Sequence, residues 1–470
     1  MNSILKNRVE SSLLLIPVLV FIVLRIFEYD GLYGQDSYEY LRYTERIKAF
    51  IFTGIHPGEF VWPKGYPIVA GILSLVIPAH ISTQFVSFVS LYGLLIFTRR
   101  IIKELTFKES CVLPFLIIAL LLSPYMLRAS VMAMSDLLAA FWLTGCVYFG
   151  IRYGDKHTFG AFFWCLLFGS LSVFTRYVAA IPIALIFLAV GYVEIKNKKW
   201  LHSLASFVPV MFLYLHYYLE TEEFNPFHHN SIVTWDIKNF FKSSFVGEIG
   251  IFNYILPNLL YAFSSVYSPG FLLINGLLFL FLFKKRKLLL KVDYVSIAII
   301  VISYSFFLAG IPYQNNRFLL LTYPLVLILL FPAFTDLMDR FQKKRNYILA
   351  ALVVMQLVLF VRAIEPTFRL SMVEKEITTQ MYAYQNQTLY SFEIDIALEG
   401  RGLDFEYRNL WKEEYKSFDE GALVLFNEEK FRTQWEGKNP MINWNQIKNK
   451  HQLTLIKELD ANWKLYRIEN

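Results

Sequence analysis

Apolar residues fall along this chain in long runs separated by short polar or basic connectors, and the pattern changes once, near residue 364. A bilayer crossing needs about 20 mostly apolar residues. Eleven stretches approach this: 11–28, 82–101, 110–127, 134–151, 159–175, 177–194, 200–218, 265–283, 292–310, 318–337 and 346–363. The pattern predicts a polytopic α-helical membrane protein, because a helix satisfies its own backbone groups in hydrocarbon. Two shorter apolar stretches, 65–79 and 250–262, are marked by Pro or Gly and read as helices lying at the outer membrane surface or dipping partly into it. From Glu365 to Asn470 charge is interspersed with strand-like pieces such as "GALVLF" (421–426) and "WKLYRI" (463–468). That tail reads as a small soluble α/β domain, long enough to fold alone. The expected division is therefore a transmembrane domain over 1–364, with a first outer loop at 29–81, and a C-terminal domain over 365–470.

The connectors orient this arrangement. With the N-terminus in the cytoplasm, the inside loops hold Arg99, Arg100 and Lys103, then Arg152 and Lys156, then Lys196, Lys198 and Lys199. Lys284, Lys285, Arg286 and Lys287 follow, and after them Arg340, Lys343, Lys344 and Arg345. The short outside loops carry isolated cations only, which is the positive-inside distribution. Eleven spans place the C-terminal domain outside. Counting 65–79 as a full crossing would put "TRRIIKEL" outside and break the alternation.

Composition agrees: 56% of residues are hydrophobic and 18% charged, both displaced from soluble averages toward a membrane protein. The formal net charge of +7 follows the loop pattern, so it does not call for nucleic acid. Cys111, Cys146 and Cys165 lie in apolar runs and read as small buried hydrophobes without a disulfide framework. Lys6 and Arg8 before an apolar run resemble a signal peptide, but no small-residue cleavage site follows, so the run reads as the first anchor. Asn386-Gln387-Thr388 fits a glycosylation acceptor, a triplet common by chance.

Ionisable residues near a membrane boundary are costly unless paired or wetted, which singles out Asp36, Glu39, Arg128, Asp136, Arg176, His228, His229 and Arg317. Each also has a bland reading. "Asp-Ser-Tyr-Glu" at 36–39 matches a capping box in which Asp36 caps a helix and Glu39 reaches back. Ser135 or Asp136 can cap the span that follows, and Arg128 and Arg176 can snorkel to headgroups. Arg317 is flanked by Asn315 and Asn316, so three polar groups meet there. Adjacent histidines in a loop are more often solvated than ligands, and no cluster demands a metal, although a divalent ion is not excluded. Tyr33, Tyr38 and Trp62 read as interfacial aromatics.

The order of these pieces carries a resemblance. A first span is followed by "GQDSYEYLRY", then "HPGEFVWPKGYPIVAGILSL", a further span, and "SPYMLRASVMAMSDLLAAFWL"; "TRYVAAIPIAL" and "NNRFLLLTYPLVLIL" come later. The sequence resembles the GT-C membrane glycosyltransferases, in particular the protein O-mannosyltransferase and lipid A aminoarabinose transferase branch, over roughly residues 10–340. That family carries an acidic residue soon after the first span and a Pro-Gly-Tyr-Pro-like stretch, matched here by Lys64-Gly65-Tyr66-Pro67. Two departures stand out: Asp36 has its companion acid three positions on rather than adjacent, and Lys64 replaces a proline.

The resemblance implies a fold with outer juxtamembrane helices and an enzyme that moves sugar from a polyprenyl-phosphate donor to a glycan, lipid or protein acceptor. It implies membrane lipids as surroundings and an inner-membrane location with an outward-facing site; no cofactor and no nucleic acid are expected, from the absence of a ligand cluster and from the charge distribution. Such chemistry needs a base at the attacking hydroxyl, for which Asp36 is the candidate. It also needs cations at the departing phosphate, for which Arg128, Arg176, Arg317 and Lys64 are candidates. Glu39, Tyr66 and Asp136 complete the expected substrate-binding set. Two rival classes are a transporter or flippase of lipid-linked sugars and a non-catalytic scaffold presenting the tail. A transporter places its charges near mid-membrane in repeated halves, whereas here they collect at one face and no repeat is visible.

Overall fold

A computed structural model describes residues 12–469, apart from 61, 107–110, 199, 220–234, 248–249, 286–289, 313 and 433–434. The chain divides into two compact units: one of residues up to Asp30, Tyr43–Phe241 and Leu256–Glu365, the other of Gly31–Arg42, Lys242–Ile255 and Pro366–Asn470.

The first unit is helical. A helix lies on each of the eleven apolar stretches. Among the described residues, five are long and apolar enough to cross a membrane: Ala79–Leu105, Asp136–Lys156, Tyr177–Asn197, Val292–Ala309 and Gln342–Tyr384. A sixth is the pair Val112–Leu121 and Pro124–Ser130, bent by 68°. The remaining stretches carry shorter or interrupted helices, among them Ile16–Ile26, Phe159–Thr175 and Leu204–Leu219. With these helices the chain is a multi-pass membrane protein.

The interruptions have local causes. The 68° bend follows a π-helical turn at Ile117–Leu121 and falls at Ser123, where Pro124 opens a new helix; proline fixes φ for a first turn and cannot continue a helix already running. Arg176 adopts extended φ/ψ of −151° and 118° between Phe159–Thr175 and the turn that starts at Tyr177. The second break sets Arg176 at a helix end.

The second unit is built on a five-stranded sheet. After a hairpin of β1 (Ser244–Gly247) and β2 (Gly250–Asn253), the strands are β3 (Thr388–Ser391), β4 (Glu406–Asn409), β5 (Leu423–Phe426), β6 (Gln452–Glu458) and β7 (Lys464–Glu469). Their order is β4-β3-β5-β7-β6. β3 runs parallel to β4 and β5, while β7 is antiparallel to β5 and β6. β5 is buried at all four positions, as its unbroken "LVLF" run suits a strand covered on both faces. Helix Asn439–Lys450 covers one face, with Trp444 stacked on Phe426 at a centroid distance of 4.7 Å.

Both strand-like pieces of the tail are strands. The 250–262 stretch is not a surface helix: Gly250–Asn253 pairs as β2, and only Asn258–Ala262 is helical. Pro257 separates the two, because it cannot donate the hydrogen bond that would continue a helix. The change in composition near 364 falls inside one helix, Arg345–Met381, with Pro366 in its interior.

Candidate functional site

Three of the expected residues meet in the first unit. Asp136 opens helix Asp136–Lys156. Its Oδ2 accepts from Arg317 Nε at 3.0 Å, and its Oδ1 is paired with Arg176 Nη1. The side chains are buried: 1% exposed for Asp136, 13% for Arg176 and 14% for Arg317. The guanidinium of Arg176 also lies 5.4 Å from the Phe318 ring centroid. Snorkelling therefore does not describe either arginine, because both heads are held inside the protein. Arginine forks match the geometry of phosphate as well as that of a carboxylate.

Neighbouring residues hold this cluster in place. Tyr66 is buried, and its hydroxyl donates to the Thr83 carbonyl at 2.5 Å and lies 3.0 Å from Ser87 Oγ. Ser87 in turn donates to the Met134 carbonyl at 2.9 Å, and Gln84 to that of Val131 at 2.7 Å. The segment just before Asp136 is thus fixed by polar side chains of helix Ala79–Leu105, and Tyr66 supports it as a strut. Gly65 explains itself by packing. A Cβ there would lie 2.6 Å from Thr175 Oγ1 and 2.8 Å from the Phe174 carbonyl oxygen, so only glycine allows this approach beside Arg176. Lys64, which precedes it, is completely buried.

The asparagines beside Arg317 do not converge with it on one point. Asn315 caps its helix by accepting from Arg317 N–H at 3.0 Å, and Asn316 accepts from the Tyr261 hydroxyl at 3.1 Å. Arg128 turns elsewhere, donating to the Ala363 carbonyl at 3.3 Å with its guanidinium 5.2 Å from the Tyr125 ring.

Asp36 belongs to the second unit, and its helix runs Gly34–Thr53. The capping box is not formed. Asp36 lies inside the first turn, Ser37 Oγ accepts from Tyr33 N–H at 2.7 Å, and Glu374 Oε1 accepts from Gly34 N–H at 3.0 Å. Glu39 does not reach back; it pairs with Arg42 at 2.5 Å. Ser37 and Glu374 thus hold the start of this helix. Tyr38, expected at a membrane interface, is buried and donates to Glu374 at 2.8 Å. His228 and His229 lie outside the described residues. Among the described residues no group of three or more His, Cys, Asp or Glu is arranged for a metal ion.

No protein-family profile matches the sequence, and no curated protein matches it. Solved structures do. ArnT from Cupriavidus metallidurans bound to undecaprenyl phosphate aligns with a TM-score of 0.62 at 13% identity, over 96% of this chain and 97% of that one. The same protein in the apo state aligns at 0.63 and 12% identity, with the same coverage of both. The chain has the ArnT fold. ArnT is a lipid A aminoarabinose transferase of the GT-C class, the branch that the sequence motifs resemble. Sequence reading missed the union of Asp136 with Arg176 and Arg317. One acid and two bases at the entrances of three apolar stretches were the available signal, since buried charges must pair.

Proposed function

We propose that this protein is an integral-membrane glycosyltransferase that takes sugar from a polyprenyl-phosphate donor. The observation that carries the reading is the buried Asp136–Arg176–Arg317 cluster within a fold shared with a protein crystallised with undecaprenyl phosphate. In this reading Arg176 and Arg317 hold the donor phosphate, and Asp136 fixes their forks before substrate arrives. Preorganised donors of this kind gain value as negative charge grows on the departing oxygen.

The reaction is a direct displacement. The acceptor hydroxyl oxygen forms a bond to the anomeric carbon as the bond from that carbon to the phosphate oxygen breaks. Polyprenyl phosphate leaves with the electron pair, the hydroxyl proton passes to Asp36, and the anomeric configuration inverts. Asp36 receives this role from its position after the first span and from the family resemblance. The reading places the N-terminus in the cytoplasm, and the site and the C-terminal domain on the outer side of the inner membrane. No step in it runs through a metal.

Asp36→Asn tests the base. Asparagine keeps the size but cannot take the proton, so transfer should fall at least about a hundredfold while undecaprenyl phosphate still binds. Normal transfer by Asp36→Asn would remove Asp36 from the chemistry.

A further inference from the structure

The helix that carries Asp36 begins under a clamp built from distant parts of the second unit. Glu374, on helix Arg345–Met381, is buried and uses both carboxylate oxygens: Oε1 accepts from Gly34 N–H at 3.0 Å, Oε2 from the Tyr38 hydroxyl at 2.8 Å. Arg401, just after helix Ile394–Gly400, donates Nε–H to the Tyr38 hydroxyl oxygen at 2.9 Å, with its guanidinium 5.4 Å from the Tyr38 ring centroid. Gly400 completes the seat, since a Cβ there would lie 2.6 Å from Tyr38 Cδ1. The amide at Gly34 and the hydroxyl at Tyr38 bracket Asp36, two residues from each along the chain.

We infer that Glu374 is a positioning residue for Asp36, and that the C-terminal domain serves the reaction by fixing the entrance of helix Gly34–Thr53. A carboxylate at a helix N-terminus satisfies an orphan amide and complements the helix dipole. Here that carboxylate comes from 340 residues away in the chain, so the helix start is tied to the folded tail as well as to its own Ser37. Tyr38 is held on both sides, by Glu374 as acceptor and Arg401 as donor, which fixes the rotation of the first turn as well as its height. A general base must stand within hydrogen-bond reach of the proton it takes, and small displacements of such a group are costly.

The inference rests on Asp36 being the base, so the experiment reads the clamp and the chemistry separately. In full-length protein in lipid nanodiscs, hydrogen exchange over residues 31–42 is compared among wild type, Glu374→Ala, Glu374→Gln and Tyr38→Phe. Glu374→Ala should exchange at least about tenfold faster, and Glu374→Gln, which still accepts from Gly34, within about twofold of wild type. Unchanged exchange in Glu374→Ala overturns the clamp. Transfer is measured on the same samples with an undecaprenyl-phosphate-linked sugar, alongside binding of undecaprenyl phosphate. Misplacing Asp36 should lower kcat by about ten- to a hundredfold with undecaprenyl phosphate affinity unchanged, and Glu374→Gln should restore most of it. Accelerated exchange with unchanged kcat overturns the positioning role, as does a parallel loss of kcat and affinity. Where wild type itself shows no transfer but the exchange pattern holds, the clamp stands and the base assignment fails. Should Glu374→Ala not fold, Tyr38→Phe carries both readouts in the same direction.

Discussion

Replacing Asp136 with asparagine removes one negative charge from between two buried guanidinium groups and changes little else in shape. Asp136 makes one bond to Arg317 at 3.0 Å and a second pairing to Arg176. Asparagine keeps one acceptor and turns an NH2 toward the other guanidinium, donor against donor. Two cations bridged by one carboxylate sit roughly 6 Å apart, where they repel by about 3 kcal/mol at an effective dielectric of about 20. Breaking a buried pair by deleting one partner costs about 3–5 kcal/mol, and the two estimates agree in scale. Thermal unfolding of the purified protein in detergent should therefore show Asp136→Asn well below wild type. Glu458→Gln is the control. It weakens the Glu458–Lys464 pair at 3.1 Å, in which both side chains are exposed, and an exposed pair contributes about 0–1 kcal/mol. Undecaprenyl phosphate adds the diagnostic. Its phosphate replaces the missing charge, so it should stabilise Asp136→Asn more than wild type; a tenfold gain in affinity appears as about 1.4 kcal/mol of extra stabilisation. An Asp136→Asn protein as stable as the control refutes the buried-cluster argument. Equal stabilisation of mutant and wild type by the lipid refutes the phosphate role.

Three further outcomes are expected. Arg317→Ala should weaken transfer by on the order of 2–4 kcal/mol, and Arg317→Lys should recover only part of it, because lysine supplies charge without a fork; wild-type kinetics in both would strike Arg317 from the site. Gly65→Ala should cost about 1–3 kcal/mol of stability through overpacking against the Phe174 backbone and the Thr175 side chain and lower undecaprenyl phosphate affinity with it, which unfolding and binding curves would show. Burial raises the carboxyl of Asp395 above its ordinary value, outweighing its hydrogen bond from Asn409. The protonated form therefore favours the fold, and that contribution is present below the ordinary carboxylate range and lost as pH rises through the raised value. Asp395→Asn should flatten this loss, seen as a smaller drop in melting temperature between about pH 4 and pH 7.

The parts of this fold legible in sequence are those set by local periodicity. Long apolar runs became helices, and "GALVLF" and "WKLYRI" became β5 and β7, because each pattern already satisfies its own backbone. Proline positions marked the break at Pro124 and the end of the helix expected over 250–262, the first read through and the second misread. What stayed hidden was pairing across sequence distance. Nothing near Asp36 announces that its helix is capped from Glu374, and a local acid three residues before another acid imitates a capping box. Tyr66, expected from the family resemblance to bind substrate, donates its hydroxyl to Thr83 and lies against Ser87, partners distant in sequence. Arg317 pairs with Asp136, while its flanking asparagines are occupied with capping and with Tyr261.

In the proposed function Arg176 and Arg317 recognise a polyprenyl phosphate. Native mass spectrometry of the purified protein offered undecaprenyl phosphate and undecaprenol, each alone, isolates the phosphate from the shared lipid tail. One tightly held undecaprenyl phosphate, weak binding of the alcohol, and loss of the preference in an Arg176→Ala, Arg317→Ala double variant that remains folded are expected. Equal binding of both lipids by wild type, or an unchanged preference in the folded double variant, would contradict this recognition.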